Sequence, residues 1–155
     1  MNRLLLIDSN TFFRKALRDI LSFKFPSLTI EEAESGWEGR QIITQFRPQL
    51  VMMDIQLPDE DGFKIASQIQ VENPAIIVVI FTSYNLEEYQ TAALQAGIDH
   101  VIPKNIWSGQ GILALVETLL SGTAQDRPDP GRQAAAGKKD AFRKKQKLKK
   151  EDRER

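Results

Sequence analysis

The chain has 155 residues, no cysteine, one histidine, and 21 basic residues matched by 21 acidic ones. That length suits one domain, or one domain with a tail, and at 41% hydrophobic residues the chain can form a core without staples. Lack of cysteine excludes a disulfide framework, thiolate metal ligands and a cysteine nucleophile. With His100 as the sole histidine, a multi-histidine metal site is impossible and a Ser-His-Asp triad has one available base. Four apolar residues follow Met-Asn-Arg, too few for the core of a signal peptide. The longest apolar run, 75–81, falls far short of the roughly 18 residues that span a bilayer. The expectation is a cytoplasmic protein with no membrane partner.

Net charge is zero only on average. Residues 1–122 hold 9 Lys/Arg against 15 Asp/Glu, whereas residues 123–155 hold 12 against 6. The second stretch has no Val, Ile, Met, Trp or Tyr, and its large apolar residues are Phe142 and Leu148 alone. Such a segment cannot bury enough surface to offset the entropy of ordering it. We therefore expect a folded domain over 1–122 and a disordered basic tail over 123–155, with Pro128, Pro130 and Gly131 at the junction. Six acids interleave with the tail's bases and only one aromatic is present for stacking, so at most weak nucleic-acid binding is expected from it.

In chain order, the segments 3–8, 28–32, 49–54, 75–82 and 99–103 are short and rich in Ile, Val, Leu or Met, the signature of parallel strands buried on both faces. Helical spacing fills the gaps. Phe12, Phe13, Ala16, Leu17, Ile20 and Leu21 form the first stripe. Weaker helices fit 39–46 and 63–69, followed by Pro48 and Pro74. Leu86, Tyr89, Ala93 and Ala96 form a fourth helix closed by Gly97. Ile112, Leu115, Val116 and Leu119 form the fifth, stopped at Gly122. Strand and helix alternate five times, which predicts an α/β domain with a doubly wound, five-stranded parallel sheet.

Ligands of such sheets bind beyond the carboxyl ends of the strands, and there the polar residues are distinctive. Asp8 ends the first strand, Asp54 the third, Thr82 the fourth and Lys104 the fifth. Two close carboxylates repel, and a hard divalent cation relieves them. Mg²⁺ suits the set because it uses one or two carboxylates, keeps water and recruits phosphate oxygens. A lysine ammonium and a threonine hydroxyl can hold phosphoryl oxygens, and a carboxylate can be the nucleophile that forms an acyl phosphate. Phosphoryl transfer to an aspartate uses all four residues.

The stretches LLLID (4–8), VMMDIQLPDEDG (51–62), IIVVIFTS (76–83) and AGIDHVIPK (96–104) resemble the receiver domain of bacterial two-component response regulators over residues 2–121. The most specific part is the spacing of Asp54, Pro58, Asp61 and Gly62. The resemblance implies a flavodoxin-like fold with strand order 2-1-3-4-5. It also implies Asp54 as phosphoacceptor, Thr82 and Lys104 as phosphoryl-binding switch residues, and a Mg²⁺ site from Asp8, Asp54 and the Gln56 backbone carbonyl. The family's second acidic residue after the first strand is Ser9 here, which leaves a weaker ligand or a water-filled position. Its aromatic switch residue is Val101, and the proline that follows the lysine is replaced by Asn105, with Pro103 before it.

The function this implies is a stand-alone response regulator, phosphorylated by a histidine kinase or phosphotransfer protein and acting through altered binding of an unidentified downstream protein or through self-association as a homodimer. It is not expected to be an enzyme. The alternative is a receiver-like adaptor that works without phosphorylation, with Ser9 and Val101 as its signs. An aspartate-nucleophile phosphatase is disfavoured because Gln56 stands where a second Asp would be, and a nucleotide enzyme because no Gly-rich phosphate loop follows a strand. Simpler structural roles are open to Asp8 and Asp61 (loop residues, since Asp is common at turns and helix starts), Gly62 (backbone geometry), Pro58 (loop shape), His100 (a strand edge) and Trp37 and Trp107 (packing or surface anchors).

Overall fold

The computed structural model describes residues 2–83, 86–98, 100–104 and 108–122. Five strands and five helices alternate: β1 (Arg3–Ile7), α1 (Thr11–Lys24), β2 (Thr29–Ala33), α2 (Gly36–Phe46), β3 (Leu50–Asp54), α3 (Gly62–Glu72), β4 (Ile77–Thr82), α4 (Leu86–Gln95), β5 (His100–Pro103) and α5 (Gly109–Ser121). The strands are parallel in the order β2-β1-β3-β4-β5, as the resemblance implied. Chain contacts divide between Gly122 and Thr123. The expected tail 123–155 lies outside the described residues, as do Asn105 and Trp107.

Alternation along each buried strand supplies both halves of the core. Leu5, Ile7, Val51, Met53, Val78 and Ile80 face Ile43 of α2, Ile65, Ala66 and Ile69 of α3, and Ala93 of α4. Leu4, Leu6, Leu50, Met52, Val79 and Phe81 face Leu17 and Leu21 of α1 and Ile112 and Val116 of α5. Because successive side chains of a strand point to opposite faces, a continuous apolar run is what a two-sided core requires. Each fully buried aliphatic side chain stabilises the fold by about 1.5–3 kcal/mol. No described helix is long and apolar enough to cross a membrane.

Capping explains where the sequence expectations fell short at helix ends. α2 starts three residues earlier than expected, because Ser35 accepts from Glu38 N and begins the helix. α3 continues through Glu72, and Asn73 N closes it on Ile69 O. At the end of α4, Gly97 adopts φ +79°, with Gly97 N bonded to Leu94 O and Ile98 N to Ala93 O. That paired closure needs a left-handed residue, and glycine takes the position without Cβ strain. The first helical stripe also needs correction. Phe12 is 89% exposed, and it is Phe13, one step round the helix, that packs with the core.

Candidate functional site

Parallel pairing brings the carboxyl ends of β1, β3, β4 and β5 to one edge of the sheet. Asp8 lies one residue beyond β1, where its N–H extends the pairing to Ala33 O. Its Oδ1 accepts from Asn10 N at 2.8 Å. Asn10 in turn starts α1 by accepting from Phe13 N. Asp54 is the last residue of β3, and its Oδ1 accepts from Gln56 N at 3.2 Å. Lys104 follows β5, fixed by Lys104 N to Thr82 O at 2.9 Å. Its Nζ reaches Asp8 Oδ2 at 2.7 Å and Asp54 Oδ2 at 2.9 Å. Two carboxylates 46 positions apart in the chain thus share one ammonium.

Asp8, Asp54 and Thr82 are all buried, Thr82 completely. Burial pushes the Asp8 carboxyl above its ordinary pKa, and the Lys104 ammonium and the Asn10 amide offset only part of that effect. For Lys104, burial alone acts to lower the pKa, but hydrogen bonding and charge from Asp8 and Asp54 prevail and hold it above the usual lysine value. The ammonium therefore remains charged through the neutral range.

Asp8 Oδ2 is buried, and its one partner among the described residues is the Lys104 ammonium at 2.7 Å. A buried carboxylate oxygen with spare lone pairs, beside a second carboxylate, fits a hard divalent cation. Among the described residues no cluster of three or more acidic or histidine side chains could hold a metal. The fit is therefore to an ion that accepts two carboxylates and completes its shell with water, carbonyl and phosphoryl oxygen, as Mg²⁺ does. Ser9 and Gln56 are exposed on the adjoining loops.

Other residues singled out in the sequence have structural tasks. Asp61 caps α3 by accepting from Phe63 N at 3.0 Å. A Cβ on Gly62 would lie 2.4 Å from the Cα and carbonyl oxygen of Ile55, so the loop after Asp54 closes on itself only with glycine there. Trp37 is largely exposed. His100 is half-buried on the edge strand β5, in register with Val79. Val101 packs against the core face shared with α2, α3 and α4.

Two contributors escaped sequence reasoning. Arg14 is buried and donates to the Asp8 carbonyl, to Glu32 at 3.0 Å and to Glu34 at 3.3 Å. Its signal was present: positions 14, 17 and 21 fall on one helix face, so a charge sits in the apolar stripe. Phe13 places its ring 4.4 Å from Lys104 Nζ. Nothing local in the sequence distinguishes it from Phe12.

A parallel five-stranded sheet with two carboxylates and a lysine converging beyond its strand ends defines the class, and the chain belongs to the response regulator receiver domain family, whose model matches residues 4–117. It is 36% identical over 102 residues to the chemotaxis protein CheY of Halobacterium salinarum, covering 66% of this chain and 83% of that protein. It is 30% identical over 128 residues to the response regulator MprA of Mycobacterium sp. (strain KMS), covering 82% of this chain and 54% of that protein. The chain thus spans about half the length of that relative. Among solved structures, a CheY-like receiver domain protein from Methanospirillum hungatei JF-1 superposes with a TM-score of 0.70 at 27% identity, over 77% of this chain and 94% of the other. The protein carries the receiver domain of a two-component response regulator.

Proposed function

We propose that this receiver accepts a phosphoryl group on Asp54 from a histidine kinase or phosphotransfer protein, and that it signals as a stand-alone regulator through altered binding of a partner protein. The observation that carries this reading is the shared ammonium: Lys104 Nζ bridges Asp8 Oδ2 and Asp54 Oδ2 at 2.7 and 2.9 Å at the strand-end edge.

In the proposed step an Asp54 carboxylate oxygen attacks phosphorus of a phosphoimidazole. The O–P bond forms, the P–N bond breaks, and its electron pair leaves with the imidazole, which takes a proton from solvent. Gln56 N holds one Asp54 oxygen, which orients the carboxylate for attack. Lys104 neutralises charge that builds on the phosphoryl oxygens. Thr82, at the end of β4, donates its hydroxyl to another phosphoryl oxygen. Asp8, Asp54 and the Gln56 carbonyl would hold Mg²⁺, with Ser9 contributing through water, and the ion supplies further neutralisation of phosphoryl charge when bound. The product replaces the carboxylate's single charge with a phosphoryl group of about −2, a net gain of about one negative charge at the pocket together with new acceptor oxygens, which bias the α4 and β5 face toward a second arrangement.

Intact-mass measurement after incubation with acetyl phosphate and Mg²⁺ tests this reading. One phosphoryl adduct on the parent chain and none on a folded Asp54→Asn variant are expected. An undiminished adduct on the variant overturns the assignment. A parent chain that takes no adduct but still binds its partner supports the adaptor alternative.

A further inference from the structure

The environment of Lys104 is built on three sides, and two of them are the carboxylates already described. The third is aromatic. Phe13 lies in the first turn of α1, its N–H held by Asn10 Oδ1 at 3.1 Å. Its ring centre is 4.4 Å from Lys104 Nζ. The same ring packs edge-to-face on Phe81 of β4, with centroids 5.4 Å apart and planes at 71°. Phe81 is fully buried and directly precedes Thr82. The ring is thus clamped between the core and the ammonium, and the Lys104 side chain is left only 13% exposed.

A ring face attracts an ammonium through its quadrupole, most strongly where water is excluded. Unlike a carboxylate, it takes no proton and forms no bond to the metal or phosphoryl group. In the step proposed above, both carboxylate partners of Lys104 change: Asp54 becomes an acyl phosphate, and Asp8 would share its oxygens with Mg²⁺. The ring is the partner that stays the same throughout. The geometry points to Phe13 as a positioning residue for phosphoryl transfer, holding the Lys104 ammonium over Asp54 while its anionic partners are exchanged. This inference rests on the phosphoryl-transfer reading of the site.

The test uses the full chain, with acetyl phosphate as donor, and two readouts. The first is the proton chemical shift of the Lys104 ε-methylene, assigned by its loss in Lys104→Arg. A ring at this distance shifts it upfield of an ordinary lysine in the parent chain, and Phe13→Leu removes the shift. The second is the labelling rate, expected to fall about three- to tenfold in Phe13→Leu and to recover in Phe13→Tyr, which keeps the π face. Phe12→Leu, one residue away and exposed, leaves both readouts unchanged, so a general disturbance of α1 is told apart from loss of the ring. A Phe13→Leu chain that labels at the parent rate overturns the inference. So does an ordinary Lys104 shift in the parent, a measurement that needs neither a folded Phe13 variant nor phosphorylation. Absence of any adduct on the parent counts against the phosphoryl-transfer reading instead, and the two failures are thereby separate.

Discussion

Arg14 donates through Nη1 to the main-chain carbonyl of Asp8, so the loop that carries one site carboxylate is held by a buried guanidinium on the following helix. Nε and Nη2 bind Glu32 and Glu34 at the end of β2 and just beyond it. Arg18 also pairs with Glu32. The two arginines share a partner but differ in setting, since Arg14 is buried and the Arg18 side chain is 46% exposed.

Arg14→Met is expected to cost about 1–3 kcal/mol, because it leaves the Asp8 carbonyl and part of Glu32 without a donor. Arg18→Met should cost under about 1 kcal/mol, as is usual for a solvated pair. Urea denaturation of the two variants compares them directly. Equal losses would show that the Arg14 contacts add nothing beyond a surface ion pair.

Asp8 and stability are linked through pH. Its folded-state pKa is raised, chiefly by burial, so the folded chain binds this proton more tightly than the unfolded chain. The stability that comes with the neutral form is present at low pH and is lost as pH rises through the folded pKa. Asp8→Asn is therefore expected to raise Tm by a few degrees at pH 7, with Asp54 still paired to Lys104. The gain shrinks as pH falls below the ordinary carboxylate range. Thermal melts across pH check the sign; a variant less stable than the parent at pH 7 contradicts it.

Asp59 has the opposite sign. Its carboxylate, on the loop after Asp54, accepts from Trp37 N at 2.8 Å and Gly36 N at 3.0 Å, closing the amino end of α2. These backbone bonds, the Trp37 one foremost, hold its pKa below the usual value. Its contribution is present above the unfolded pKa and lost as pH falls through the folded one. Asp59→Asn should cost about 0.5–1 kcal/mol at neutral pH, the low end of the capping range because the group stands in water. Parent and variant should then converge in acid, and denaturation at several pH values would show whether they do.

Ser9→Asp addresses the metal. A second carboxylate beside Asp8 would add a charge that Mg²⁺ attracts, opposed by its own desolvation. Tighter Mg²⁺ binding by about 1.4–3 kcal/mol, one to two decades, is expected. Calorimetry with Mg²⁺ alone measures it without any phosphoryl transfer. No tightening would remove Ser9 from the ligand position.

The sequence by itself determined the order of elements and the residues that end the strands. Strands buried on both faces must be written as nearly unbroken apolar runs, so Asp8, Asp54, Thr82 and Lys104 stand out where those runs stop. It also marked Gly97 as a helix end, since few residues other than glycine take that backbone conformation readily. Only the tertiary structure decided which of two adjacent phenylalanines faces inward. The two differ by about 100° around the helix, and a stripe of apolar residues is wider than that. The same holds for Asp59, a loop residue whose amide partners lie 22 and 23 residues away at the start of α2, and for Arg14, whose acceptors come from β2, the residue just beyond it and the loop after β1. Those contacts depend on how distant segments cross, which no local pattern encodes. The shared ammonium has both origins: its three residues were legible at their strand ends, but the 2.7 and 2.9 Å contacts exist because parallel pairing aligns those ends.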